Sequence, residues 1–492
     1  MQQLANAALD MTRVSERLQH PPLVLVLPNS MSIRNVFASN LWKELSALPG
    51  KIYIVSHSRD LIPTEKLCGG MEWRSISDPA EIGPGWQSMT VFLRKVLRFF
   101  SLRIQRILRA DYPNIAFRFN HIHNFYAHQF KQAFTGEKVE REALAGNYIS
   151  AELGLPRPDS SWLYWLLYRT YNTSLQIIDP SINEFFKHIQ PSRVVVWHAQ
   201  NLLSRDYVLA AKKYGAQTCA VVGSWDRPTT KGPISHWFKQ VIVYSSQMKN
   251  DVVDYHAIPA DKVVNVGWPL FDGYANSRRT RSAEIIDWLN LPTNCCLLVF
   301  TANSARLGEN EPHIAGYLAD QVVNNRYDKP CMLLIRPHPV DNEWKSRYGL
   351  YQSQGRVIVQ AAELAGLKRL EDTLCAADVV ISGQGSISLD AAAVDAPIIN
   401  LGFDGKNPDD SELARQWYKM DHYCPVVKSG AVEMVNGFEE LDRAINRYLM
   451  NPDYRAEGRR WIRENMMDPL DGCAASRLTD LLRNEVLCEE SV

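Results

Sequence analysis

Residues 377–402 read ADVVISGQGSISLDAAAVDAPIINLG. Val379-Val380-Ile381 is a short, continuously apolar run of the kind that is buried on both faces of a parallel sheet. Ser382-Gly383-Gln384-Gly385-Ser386 follows, and residues 387–394 then have the alanine-rich composition of a helix. Pro397-Ile398-Ile399-Asn400-Leu401 returns to strand composition. Strand, Gly/Ser turn, helix and strand make a βαβ unit. Its turn puts uncommitted backbone N–H groups and the positive end of a helix dipole at the strand's carboxyl end, where open α/β sheets bind phosphate. A tight turn with Ser386 as an ordinary helix cap accounts for the same residues.

The stretch before it carries a second anion-suited turn. Cys331-Met332-Leu333-Leu334-Ile335 is a strand, ended by Arg336-Pro337-His338-Pro339. The two prolines stiffen the backbone around His338, and both Arg336 and His338 suit an anionic group. A histidine that caps the strand end by bonding to backbone is the plainer alternative.

The chain has 492 residues, which predicts two domains of roughly 200–250 residues. Lys plus Arg and Asp plus Glu both total 54, and a net charge of zero argues against a general nucleic-acid binder. Nine cysteines without CxxC spacing predict reduced thiols and a cytosolic protein. The first twenty residues lack the apolar core of a signal peptide, and no apolar run approaches the roughly 20 residues that span a bilayer.

Taken in order, the first domain (1–275) opens with a strand at 23–27, a polar loop at 28–35 holding Arg34, a helix at 36–48 and a strand at 51–56. Residues 60–85 read as irregular, and about 86–190 as a helical insertion. Within that insertion, VFLRKVLRFFSLRIQRILRA at 91–110 mixes basic and apolar residues. It reads either as a surface for an anionic membrane or as a core helix with a solvated basic face. His121 and His123 would point to different faces of a helix, and with His128 they predict no metal site. Strands follow at 193–197, 217–222, 241–244 and 263–266, with His198 at the end of the first of these and a loop at 223–232. A linker is expected at 273–292. The second domain (276–492) repeats the pattern, with strands at 295–300, 331–335, 357–360, 379–381 and 397–401, and then mostly helix.

From about residue 190 to 480 the chain resembles a bacterial family. SWDRPTTKG (224–232) is similar to the SWDN-type loop of surface-polysaccharide glycosyltransferases, and HAIPADKVVNVGWPLFD (256–272) to the segment that closes their first domain. RPHP (336–339) followed by SGQGSISLDAA (382–392) resembles the HP and Ser motifs shared by bacterial sialyl- and Kdo-transferases and the CDP-glycerol glycerophosphotransferases. DHYCPVV (421–427) and DPLDGCAASRL (468–478) resemble that group's tail, whereas Arg227 departs from the usual Asn.

The resemblance implies an α/β chain of GT-B type, with two Rossmann-like domains facing across a cleft and the nucleotide donor on the second. It implies that His338, with Arg336, binds donor phosphate. Ser386 and Ser388, with Gln384 and Gly385, would meet the phosphate at the helix start, and Thr301, Ser304 and Arg306 would lie near the diphosphate. Asn29, Ser30, Arg34, Trp225 and Lys231 fall on the acceptor side. The expected base is Asp226, with His198 second; a loop-organising carboxylate and a packed structural histidine are their bland counterparts. No DxD-like cluster stands in a convincing loop, Asp409-Asp410 being in a polar surface stretch, so no metal and no cofactor are expected. The implied activity moves a sugar from a CMP-, CDP- or UDP-linked donor to a surface glycan or lipid-linked acceptor, in the cytoplasm or at the inner face of the bacterial membrane. Alternatives are a CDP-polyol phosphotransferase, a nucleotide-sugar 2-epimerase and a non-catalytic nucleotide-binding scaffold.

Overall fold

The computed structural model describes residues 21–487 apart from 57–60, 69, 76–177, 201–203, 231–233, 235–236, 257, 306, 353, 362–366, 409–413 and 416. The basic segment 91–110, His121, His123 and His128 therefore lie outside the described residues, as do Lys231, Arg306 and Asp409-Asp410. The chain divides into two compact units. The first takes residues 1–244, 248–266 and 476–492, and the second takes 245–247 and 267–475.

Among the described residues the first unit has seven strands: β1 (Leu23–Leu27), β2 (Ile52–Ser56), β3 (Met71–Ser75), β4 (Arg193–Trp197), β5 (Gln217–Val221), β6 (Gln240–Val243) and β7 (Val263–Asn265). Every pairing is parallel, in the order β3-β2-β1-β4-β5-β6-β7. The central strands are buried on both faces, which is why LVLVL and RVVVW read as unbroken apolar runs. β3 is an edge strand in a stretch expected to be irregular. It carries Glu72 and Arg74, so one face faces water and no continuous apolar run marks it. Trp73 Nε1 donates to Ser56 Oγ at 2.9 Å and ties this edge to β2.

The expected polar loop at 28–35 is largely helix, Ser30–Phe37. Asn29 Oδ1 accepts the Ser32 N–H at 3.0 Å while Ser32 Oγ accepts the Asn29 N–H at 3.1 Å. This reciprocal box satisfies two amides that would otherwise have no partner, and so starts the helix a turn early.

The second unit has, among the described residues, six strands: β8 (Cys296–Thr301), β9 (Cys331–Arg336), β10 (Val357–Val359), β11 (Val379–Ser382), β12 (Ile398–Leu401) and β13 (Val432–Val435). Their order is β10-β9-β8-β11-β12-β13, again all parallel. β13 replaces part of the expected helical tail. It is a short edge strand whose Glu433 pairs with Arg447 rather than adding to an apolar run. Both sheets thus have the doubly wound order, which reverses direction at β1/β4 and at β8/β11. The α/β class and the two Rossmann-like sheets of a GT-B chain are present.

The expected linker at 273–292 is part of the second unit. Thr280 N–H donates to Cys375 O at 2.9 Å, and Arg281 pairs with Asp378, which also accepts the Leu297 N–H at 2.7 Å. Division at residue 275 also misses the return of the chain's end. Asp272 accepts the N–H groups of Ala474 and Ala475 at 2.8 and 2.9 Å, capping the last helix, Ala474–Leu487. From Ser476 that helix belongs to the first unit, where Arg193 donates to Leu481 O and Leu482 O.

One buried cation holds the back of the second unit. Arg459 is fully buried, with Nε 2.8 Å from Asp395 Oδ1, Nη1 2.8 Å from Tyr454 O and Nη2 3.1 Å from Pro452 O. Arg459→Ala takes the donor from the Tyr454 and Pro452 carbonyls and leaves Asp395 to Arg463, 3.4 Å away. The expected loss is about 3 kcal/mol in the unfolding of this unit, read by urea denaturation.

Candidate functional site

At the carboxyl edge of the second sheet, Arg336, Thr301 and Ser382 stand in one register row across β9, β8 and β11. The loops that follow these three strands are therefore neighbours. The HP loop and the Gly/Ser turn flank the end of β8, about 10 Å apart by strand spacing. Thr301 closes β8 with a buried hydroxyl that has no hydrogen-bond partner among the described residues.

Two residues on, Asn303 is gripped by Glu311. Its N–H donates to Glu311 Oε2 at 2.7 Å and its Nδ2 to Oε1 at 2.8 Å. Gly383 packs against this pair: a Cβ there would lie 2.2 Å from Asn303 Nδ2. A Cβ on Gly308 would lie 2.2 Å from Glu311 Oε2. Only glycine lets either loop come so close. Burial pushes the Glu311 carboxyl up to about 7, against the pull of its bonds to Asn303 and the nearby Arg347. Neither Asn303 nor Glu311 is legible as a site residue in the sequence, where Glu311 reads as an acidic residue in a helix's first turn.

The HP loop is set by its own side chains. Asp341 N–H donates to His338 O at 2.9 Å, and Asp341 accepts the Glu343 N–H at 3.0 Å and pairs with Arg347. Arg347 also donates to Gly308 O, tying this loop to the one after β8. His338 Nδ1 accepts the Val340 N–H at 3.2 Å, so the ring proton of the neutral form sits on Nε2. Arg336 is buried and donates to Gln360 Oε1 at 3.0 Å.

In the Gly/Ser turn, Ser386 is exposed at the start of the helix Ile387–Ala393 and its side chain makes no capping bond. Gln384 and Gly385 are half-buried beside it, and Ser304 is half-buried after β8. Ser388 departs from the expected phosphate contact. Its side chain is fully buried, with Oγ 2.8 Å from Tyr423 OH, because a position two residues beyond Ser386 on the helix turns to the interior.

In the first unit, the edge at β1/β4 brings Asn29 to His198. Asn29 is oriented by its bond to Ser32, so Nδ2 faces the ring and donates to His198 Nδ1 at 2.9 Å. The neutral ring then carries its proton on Nε2 and cannot accept another there. His198 is buried at φ 55° and packs on Gly223, where a Cβ would lie 2.5 Å from the ring. Ser30 is exposed and Arg34 half-buried on the same helix. Asp226 stands half-buried, just before the short helix Arg227–Thr230, and accepts a hydrogen bond from Ser224 Oγ; Trp225 beside it is buried. The loop is held from behind by His256, whose Nδ1 accepts the Ile234 N–H at 3.1 Å and whose Nε2 lies 2.7 Å from Pro228 O.

Residues 154–484, more than half of the chain, match the CDP-glycerol:poly(glycerophosphate) glycerophosphotransferase family. The chain belongs to that family. Members are named as transferases, and the HP loop and Gly/Ser turn fall within the matched residues. No curated protein matches the chain. Among solved structures, the UDP-GlcNAc 2-epimerase of Neisseria meningitidis bound to UDP-GlcNAc is similar at a TM-score of 0.51 and 12% identity, over 94% of this chain and 100% of that one. The S. aureus MnaA–UDP structure is similar at 0.50 and 10% identity, over 95% and 97%. At these identities the likeness is one of fold, and it is to GT-B chains. No helix among the described residues is long and apolar enough to cross a membrane.

Glu311 gives this edge a pH signature. Above about pH 4.5 the unfolded carboxyl is ionised, while the buried one keeps its proton to about 7. The native chain then holds the extra proton and loses stability as pH rises through that window. Compared with Glu311→Gln, the wild type is expected to lose stability with a slope approaching 1.4 kcal/mol per pH unit, measured by urea unfolding at several pH values between 4.5 and 7.

Proposed function

We propose that this chain transfers an activated group from a nucleotide-linked donor to a surface-glycan or lipid-linked acceptor, and that the donor's phosphate is held at the β9/β8/β11 edge. The observation that carries the reading is the single row of Arg336, Thr301 and Ser382, which sets His338 and Ser386 on loops either side of one buried, unpartnered hydroxyl. His338 offers an N–H or a cation to the leaving phosphate. Ser386 and the amides of the helix start offer further donors. Asp226, on the carboxyl edge of the first sheet, takes the acceptor's proton. His198 ranks below it, since Asn29 occupies its bare nitrogen. Leaving-group charge is then met by hydrogen-bond donors of the chain itself.

Glycosyl transfer is the leading form of the reaction. Transfer of a polyol phosphate from a CDP-linked donor is the second, favoured by the family to which the chain belongs. The released nucleotide separates them. A UDP-sugar donor leaves UDP, while CDP-glycerol leaves CMP as glycerol phosphate passes to the acceptor. A CMP-sugar also leaves CMP, but without phosphate in the product. A panel of donors incubated with and without glycan acceptor decides among these. Turnover without acceptor would instead mark an epimerase, and binding without turnover a scaffold.

His338→Ala is expected to raise donor KM or abolish turnover with the melting temperature preserved; unchanged steady-state kinetics would remove the residue from the site. Asp226→Asn is expected to lower kcat by about 10²-fold or more with donor affinity intact. Loss of donor binding in that variant would make Asp226 a loop-organising residue instead.

A further inference from the structure

The DHYCPVV segment contributes one side chain to the underside of the Gly/Ser turn. Tyr423, Asn400 and Ser388 are each fully buried and form a closed ring. Tyr423 OH donates to Asn400 Oδ1 at 2.9 Å, which commits its one proton. Ser388 Oγ, 2.8 Å from that phenol, is therefore the donor to it, and Asn400 Nδ2 closes the ring onto Ser388 Oγ at 3.3 Å. The ring also holds the turn's backbone. Asn400 Nδ2 reaches Ser382 O and Gly383 O, both at 3.4 Å, and the backbone of Gly385 hydrogen-bonds the Tyr423 hydroxyl. Four positions of the turn and its helix, 382, 383, 385 and 388, thus answer to one hydroxyl and one amide. Burial pushes the phenol up to about 12, so it remains a donor through the physiological range.

We propose that Tyr423 is a positioning residue of the donor site, its hydroxyl fixing the backbone of residues 382–386 in the form that meets the donor's phosphate. The inference rests on the donor reading above. Ser386 has no side-chain capping bond to hold it, so its orientation comes from the turn beneath it. That turn has two restraints, Asn303 against Gly383 and the Tyr423 ring below Gly385. Phenylalanine fills the same volume but leaves Asn400 Oδ1 and the Gly385 backbone without a partner in a dry interior. The turn is then free to move toward other bonds.

The test uses the full chain, with CMP, CDP, UDP and inorganic pyrophosphate as probes in calorimetric titrations well below the melting temperature. Hydrogen exchange of the amides at 383–387 is followed in parallel. Tyr423→Phe is expected to weaken binding of whichever probe the wild type takes by about tenfold, a change of 1.4 kcal/mol. It should also speed exchange across the turn and raise donor KM more than it lowers kcat. Ser388→Ala, which opens the ring elsewhere, should shift both readouts in the same direction and serves if the phenylalanine variant does not fold. Wild-type affinity together with wild-type exchange in a folded variant would overturn the proposal, whatever happens to the melting temperature. If the wild type binds none of the probes, the donor reading falls and takes this inference with it. If the wild type binds and the variants match it, only the inference falls.

Discussion

Gly383 lies so close to Asn303 that a single methyl group would collide with the amide, and much of the second unit follows from that approach. β8 and β11 are neighbours at the point where the strand order reverses, so the loops leaving them go to opposite faces of the sheet. Such loops ordinarily diverge. Here Glu311 pulls Asn303 back over the sheet edge, and the absence of a side chain at 383 lets the next turn settle against it. The result is a set of short polar side chains and backbone amides at the carboxyl ends of strands that are otherwise mostly apolar.

The sheet strands were legible because burial on both faces leaves no alternation: LVLVL, RVVVW, CLLVFT and CMLLIR contain no half-exposed face to interrupt them. The edge strands β3 and β13 escaped for the converse reason. Glu72, Arg74 and Glu433 point to solvent or to ion pairs, and their composition is that of a loop. The helix at Ser30–Phe37 was hidden by its own cap, since the Asn and Ser that begin it are turn formers when read one by one. The Gly/Ser turn and HP loop were readable as local motifs. Asn303 and Tyr423 were not, because each packs on or bonds to a segment distant in the chain, and Glu311 was not, because its bond to Asn303 spans a loop that carries no local motif.

The histidines divide in an instructive way. His198, after β4, and His256, at the end of the helix Ser246–His256, are both tied by hydrogen bonds that fix their tautomers. His256 spends both ring nitrogens on backbone groups of Ile234 and Pro228, in the segment that follows Asp226. In His338 it is Nδ1, the nitrogen nearer the backbone, that accepts the Val340 N–H.

The last helix has a consequence for how the protein is made. Its cap, Asp272, lies in the second unit, while its residues from Ser476 onward complete the first, whose Arg193 reaches the carbonyls of Leu481 and Leu482. A ribosome delivers the seven strands of the earlier sheet long before it delivers that helix. This flank of the first unit is therefore completed only after residues 267–475 of the second unit have emerged. The order of synthesis thus separates the two parts of the first unit by the length of the second.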